Sequence, residues 1–197
     1  MTTSSGQRRT AAIVMAGGLG TRMRSRLPKV LHPLLGRPML AYVIDAASTV
    51  TEERPVVVFS PATEAVRERF ADVADFALQA EPLGTGDALR AGMAAVADDA
   101  DEVLVVSGDV PRVQTELLAA LIEARRLDEA VMTLVAVETF DPTGLGRVVR
   151  TSAGSVDRIV EEKDATDDER DIAEINGGVY AFDAAWLREH VDRLSPS

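Results

Sequence analysis

A chain of 197 residues with 46% hydrophobic and 27% charged side chains has the balance of a globular domain with a buried core, not of a disordered segment. Its net charge of −11 argues against a general nucleic-acid binder, which must neutralise many phosphates with lysine and arginine. Without cysteine it can build neither a disulfide framework nor a thiolate metal site, and its first apolar run, residues 11–16, is too short for a signal peptide or a membrane span, so a cytoplasmic setting is expected.

Residues 1–10 are polar and read as a disordered start, and residues 11–15 as the first strand. Arg8, Arg9, Arg22, Arg24, Arg26, Lys29 and Arg37 all precede Asp45, the first acidic residue, so this stretch is either an anion site or a solvated basic face. Leu40, Val43, Ile44 and Ala47 then recur at helical spacing, as do Leu117, Leu118, Leu121 and Ile122, which predicts two core-facing helix stripes. Runs rich in β-branched residues at 56–59, 103–106 and 131–137 predict buried strands, residues 76–79 a short strand, and residues 87–96 a helix opening just after Gly84-Thr85-Gly86. The alternation of strands and helices predicts an α/β fold, a Rossmann-like, mostly parallel sheet flanked by helices. Beyond Val137 the runs at 147–150 and 156–160 flank Thr151-Ser152-Ala153-Gly154 and predict a hairpin, a candidate substrate lid. Residues 164–171 read as a charged loop or short exposed helix, 178–182 as a strand, and Leu187, Val191 and Leu194 as a final helix. No repeat, linker or domain boundary interrupts residues 11–197.

The first strand runs into Gly17-Gly18-Leu19-Gly20-Thr21-Arg22-Met23. Glycines at the carboxyl end of a strand let backbone N–H groups approach a phosphate closely. A dinucleotide-binding turn starting at Gly18 needs glycine where Met23 stands, and a Walker-type loop needs Gly-Lys followed by Ser or Thr, which is absent. What remains is a glycine turn carrying Arg22, with Pro28-Lys29 close behind, and such cations suit charge on transferring phosphoryl groups. Asp109 follows the strand at 103–106, at the end where sheet enzymes bind ligands, although a Gly-Asp pair alone also signals a turn. Gln79 offers an acceptor and donors to a base edge, and Gly84-Thr85-Gly86 is either a ligand-facing helix start or merely a turn and cap.

Gly18-Leu19-Gly20-Thr21-Arg22-Met23 followed by Leu27-Pro28-Lys29-Val30-Leu31 resembles the signature of the sugar-nucleotide pyrophosphorylases. With His32, Gly36-Arg37-Pro38-Met39, residues 79–86, Gly108-Asp109-Val110-Pro111, residues 141–147, Ile159-Val160-Glu161, residues 163–166 and Glu174-Ile175-Asn176 in order, it is most similar to the bacterial N-acetylglucosamine-1-phosphate uridylyltransferases. The resemblance covers nearly the whole chain.

It implies a nucleotide-diphospho-sugar transferase (glycosyltransferase A-like) fold in which the hairpin belongs to the sugar-binding part. The implied reaction joins uridine triphosphate (UTP) to N-acetylglucosamine 1-phosphate, giving UDP-N-acetylglucosamine for cell-wall synthesis and pyrophosphate, with Mg²⁺ as cofactor. By the same resemblance Arg22 and Lys29 are catalytic, Asp109 holds the metal, and Ala16, Gly17, Gly18, Gly20, Thr21, Gln79, Gly84 and Thr85 contact the nucleotide. Gly146, Glu161 and Asn176 contact the sugar. Full-length relatives of this kind add an acetyltransferase β-helix that builds a homotrimer, so residues 11–197 are expected to be an incomplete nucleotidyltransferase domain, with the family's second metal ligand beyond Ser197. Asp87 stands where the family frequently has histidine, and Leu145 where it frequently has an aromatic. The alternatives are a related transferase for another nucleotide or sugar phosphate, and a nucleotide-binding fragment inactive through truncation.

Overall fold

The computed structural model describes residues 8–18, 20, 23–81 and 83–194. β1 (Thr10–Met15) is an apolar run with Ile13 and Val14 fully buried, as a strand covered on both faces requires. A two-residue ladder of β2 (Pro33–Leu34) and β3 (Arg37–Pro38) follows, and α1 (Met39–Val50) buries Leu40, Val43, Ile44 and Ala47, the predicted stripe. Next come β4 (Val56–Phe59), α2 (Ala65–Phe70), β5 (Asp75–Leu78), α3 (Thr85–Met93), β6 (Glu102–Ser107) and α4 (Thr115–Leu127). β1 pairs in parallel with β4 on one side and β6 on the other, and β4 pairs in parallel with β5, giving the order β5-β4-β1-β6. The parallel α/β sheet is therefore as the alternation predicts.

Three details of the helices differ from the pattern, the first being that α3 ends at Met93 and not at Val96. α3 begins at Thr85, two residues earlier than expected, because Gly84, at φ +102°, supplies the non-helical turn and lets the next residue enter the helix. On α4 the buried stripe is Leu118, Leu121, Ile122 and Arg125, whereas Leu117 is 41% exposed. A charge holds the fourth stripe position because Arg125 Nη2 meets Glu102, which is 1% exposed at the start of β6. Arg126 adds a contact of 2.6 Å to Glu102 Oε2, and Thr10 Oγ1 donates to the same oxygen at 3.1 Å. The buried carboxylate is thus saturated by donors, the condition for tolerating it in a core.

The described part of the expected disordered start, residues 8–10, leads directly into the sheet. Met1–Gln7 lie outside the described residues, but Thr10 opens β1 and Arg9 pairs with Asp99 at 2.5 Å and with Glu53.

The chain clusters into two compact units, one holding the residues up to Thr133 and from Tyr180 onward, the other Leu134–Val179. The sequence shows no boundary because both changeovers fall inside strands, β7 (Met132–Glu138) and β10 (Glu174–Asp183), where no linker composition marks them. β7 was expected to be buried, yet Val137 is 45% exposed. In the second unit β8 (Arg147–Arg150) and β9 (Val156–Val160) form the predicted antiparallel hairpin, with Arg147 opposite Val160 and Gly154 at φ +85° closing the turn. The charged stretch yields α5 (Asp167–Arg170), whose start Thr166 and Glu169 cap reciprocally. Arg147, 1% exposed, pairs with Glu162 at 2.5 Å and donates to the Arg170 carbonyl at 3.3 Å, tying the hairpin to that segment. The first unit closes with α6 (Ala184–His190), capped by Asp183, which accepts from the Trp186 N–H at 2.9 Å.

Candidate active site

In the first unit the strand order reverses at β1, with β4 and β5 on one side and β6 on the other. A parallel sheet leaves a crevice beyond the carboxyl ends of its strands at such a point. Here it is a cleft of about 610 Å³. The loop after β1 lines it with Ala16, Gly17, Gly18 and Gly20, the segment before β2 with Lys29 and Val30, the end of β6 with Ser107 and Asp109, and the β5–α3 connection with Gln79, Gly84 and Thr85. Every described residue expected to touch the nucleotide or metal thus falls on one cleft. Thr21 and Arg22 lie outside the described residues.

Close backbone approach builds this cleft. The Gly108 N–H donates to the Met15 carbonyl at 2.8 Å, and a Cβ at Gly108 would sit 2.9 Å from that oxygen, so only glycine allows β6 to deliver Asp109 beside the glycine loop. Gly20, at φ +58°, packs its backbone onto Lys29 so tightly that a Cβ would come within 2.4 Å of Lys29 Cβ. The loop is anchored by Ser60 Oγ, which donates to the Gly17 carbonyl at 2.9 Å.

Charge in the cleft is concentrated in one pair. Lys29 Nζ donates to Asp109 Oδ2 at 2.6 Å, and Ser107 Oγ donates to Oδ1 at 2.7 Å. Burial pushes the Asp109 carboxyl up, but the hydrogen bonds from Lys29 and Ser107 and the Lys29 charge outweigh it, so its pKa lies below the ordinary value. Both side chains stay partly open, 40% for Lys29 and 31% for Asp109. The ammonium keeps donors to spare and the carboxylate keeps lone pairs, so the pair can face an anion and a hard cation together. Among the described residues no group of three or more His, Asp or Glu side chains forms a metal cage.

Among its described residues, the basic stretch does not converge as an anion site. Arg8 and Arg9 reach Glu102, Asp99 and Glu53 at the opposite end of β1, and Arg37 pairs with Asp45 at 2.7 Å over the Tyr42 ring. Of the described cations in that stretch, Lys29 alone lines the cleft. Charge counting could not see this, because it does not show which carboxylates the arginines meet. Ser60 and Ser107 escaped the sequence reading, which marked Asp87 only as a departure from the family's frequent histidine. The signal for both serines is a small polar residue at or just past a strand end.

In the second unit the three residues assigned to the sugar come together. The Asn176 N–H donates to the Gly146 carbonyl at 2.9 Å, and a Cβ at Gly146 would lie 3.3 Å from Glu161 Oε1. Asn176 Oδ1 accepts from the Gly178 N–H at 3.1 Å.

The MobA-like NTP transferase domain model matches residues 12–172. The chain belongs to this family. Among curated relatives, the bifunctional protein GlmU of Mycolicibacterium paratuberculosis is 45% identical over 94% of this chain and 40% of its own length. The GlmU proteins of Pseudomonas aeruginosa and Heliobacterium modesticaldum are 46% and 42% identical, over 93% and 94% of this chain and 40% and 41% of their own lengths. The chain therefore spans about two fifths of these relatives. Among solved structures, the 4-diphosphocytidyl-2C-methyl-D-erythritol synthase of Anaerococcus prevotii superposes with a TM-score of 0.65 at 18% identity, over 94% of this chain and 76% of that one, a likeness of fold. The cleft of this NTP transferase domain lies where the chain's own glycine loop leaves the first strand.

Proposed function

We propose that this domain transfers uridylyl from UTP to N-acetylglucosamine 1-phosphate, releasing pyrophosphate. The observation that carries the reading is the convergence of the glycine loop, the Lys29–Asp109 pair and Gln79 on one cleft at the strand switch point. Identity of 42–46% to GlmU proteins, over the part of them that this chain spans, favours this transferase over others of the fold.

The reacting sugar phosphate is an anion already, so its oxygen can attack the α-phosphorus without a general base, and positioning with charge neutralisation carries the rate. The loop residues Ala16, Gly17, Gly18, Gly20 and Thr21 cradle the triphosphate, with Gln79, Gly84 and Thr85 against the base and ribose. Lys29, together with Arg22, stabilises charge on the leaving pyrophosphate. A divalent ion fits the donor set: one ionised carboxylate with free lone pairs is what Mg²⁺ takes from a protein when substrate phosphates and water complete its shell. Asp109 would hold it, and the ion would neutralise phosphate charge. Gly146 and Glu161, at the two ends of the hairpin, form the sugar subsite with Asn176 of β10, and the hairpin is its lid. A cytoplasmic setting completes the proposal; the homotrimer expected of full-length relatives belongs to a part of them that this chain does not span.

The test is incubation with UTP, N-acetylglucosamine 1-phosphate and Mg²⁺, following pyrophosphate release and nucleotide-sugar formation by mass spectrometry. UDP-N-acetylglucosamine formed only with a divalent ion is expected. Faster turnover of cytidine or thymidine triphosphate, or of another sugar phosphate, would overturn the specificity.

A further inference from the structure

Gln79 forms one wall of the cleft and is 5% exposed. Its amide nitrogen donates twice, to the Gly84 carbonyl at 3.1 Å and to Asp87 Oδ2 at 3.0 Å. Neither partner has a proton to give. Rotating the amide by half a turn would therefore set its oxygen against two oxygens, so the nitrogen is fixed in place. The other amide atom, Oε1, is consequently turned toward Gly17, 2.9 Å from where a Cβ on that glycine would stand. Gly17 also lines the cleft. Asp87 is held in turn, since its Oδ1 accepts from Arg90 Nη1 at 3.2 Å and Arg90 Nη2 donates to the Leu194 carbonyl at 2.9 Å.

The geometry points to Asp87 as a positioning residue that selects the base by fixing the Gln79 amide with its carbonyl oxygen presented to the nucleotide. An acceptor on the wall takes a ring N–H. Uracil carries one at N3, while neutral cytosine has a lone pair there and meets Oε1 oxygen-to-nitrogen with no proton between. A site built around one hydrogen bond rejects the partner lacking it because its buried polar atom is then left unpaired. With the Asp87 carboxylate gone, only the Gly84 carbonyl resists rotation of the amide, and Gln79 can turn its N–H toward cytosine. This inference rests on the nucleotide reading of the cleft proposed above.

Calorimetric titration of the 197-residue protein with UTP, cytidine triphosphate and N3-methyluridine triphosphate, each with Mg²⁺, tests it. The unaltered protein is expected to prefer UTP and to lose affinity for the methylated analogue. In Asp87→Ala the preference for UTP over cytidine triphosphate should fall about tenfold, the weight of one hydrogen bond, chiefly through tighter binding of the cytidine nucleotide. Asp87→Asn keeps an acceptor oxygen and should keep most of the preference. A general loosening of the fold would weaken both nucleotides together and leave the ratio alone. UTP binding by Asp87→Ala with an unchanged ratio overturns the inference, as does equal binding of UTP and its N3-methyl analogue by the unaltered protein. Failure of the unaltered protein to bind UTP at all overturns the nucleotide reading itself, and the inference with it.

Discussion

Acid titration of the Glu102 anchor offers the most direct check on how the first unit is held together. Burial pushes this carboxyl up, but the hydrogen bonds and charges of Arg126 and Arg125 prevail and hold it down from 4.5 to about 2. Because the folded value lies below the unfolded one, the contribution is complete above about pH 4.5 and is lost as the pH falls through about 2. At about 1.36 kcal/mol per pH unit this amounts to roughly 3 kcal/mol. That is a large share of the roughly 5–15 kcal/mol that stabilises an ordinary domain. Glu102→Gln removes the charge and leaves Arg125, 3% exposed, with only the Asp183 carboxylate, 3.7 Å away and partly solvated, as a counter-ion. Loss of one partner from a buried pair costs about 3–5 kcal/mol. Urea melts of the unaltered protein and the variant, repeated from neutral pH down to about pH 2, measure the difference between them. The difference should be largest at neutral pH and shrink steadily below about pH 4.5. Other depressed carboxylates titrate in both proteins and cancel from it. A difference that stays constant over the whole range would refute the coupling of Glu102 ionisation to folding.

Two further outcomes follow from the cleft. Lys29→Ala should lower turnover about 10²-fold or more, as loss of one preorganised charge contact does, while affinity for uridine itself, which lacks phosphates, changes little; steady-state kinetics beside a uridine titration reads both, and near-normal turnover would return Lys29 to the role of a partner for Asp109. Gly20→Ala places a methyl at φ +58° and 2.4 Å from Lys29 Cβ, so it should weaken UTP binding and destabilise the domain; the backbone strain alone is worth about 1 kcal/mol, and an unchanged affinity and melting temperature would show that the loop absorbs it.

Legibility in the sequence varied with the range of the interaction. The strands β1, β4 and β6 are continuous β-branched runs because both their faces are covered, and such runs are visible in any short window. The glycine loop and Asp109 were legible for the same reason, since each follows its strand directly. Features that depend on distant partners were not. The phase of α4 was misread at Leu117 because the stripe ends on Arg125, which looks polar until Glu102, 23 residues earlier, is placed beside it. The basic stretch reads as either an anion site or a solvated face because nothing in its composition shows Arg9 turning to Asp99 and Glu53, or Arg37 to Asp45. Asp87 stood out only as a departure from the family's frequent histidine, and its contact with Gln79, which donates to it, was not legible.

The ends of β6 show why a carboxylate's surroundings, not its presence, mark it for chemistry. Glu102 at the amino end is nearly sealed, with Arg125, Arg126 and Thr10 occupying its oxygens. Any ligand arriving there would have to displace a buried guanidinium, leaving an unpaired charge in the core at a cost of several kcal/mol. Asp109, just past the carboxyl end, has one cation and one hydroxyl on it and remains 31% exposed. Its ion pair with Lys29 is half solvated, and such pairs are worth at most about 1 kcal/mol. Exchanging that contact for substrate phosphate or a bound cation therefore costs little. Both carboxylates have lowered pKa values, so the shift does not distinguish them. The freedom of Asp109 and Lys29 to change partners does, and it supports the proposed site at the end of β6, beside the glycine loop of β1.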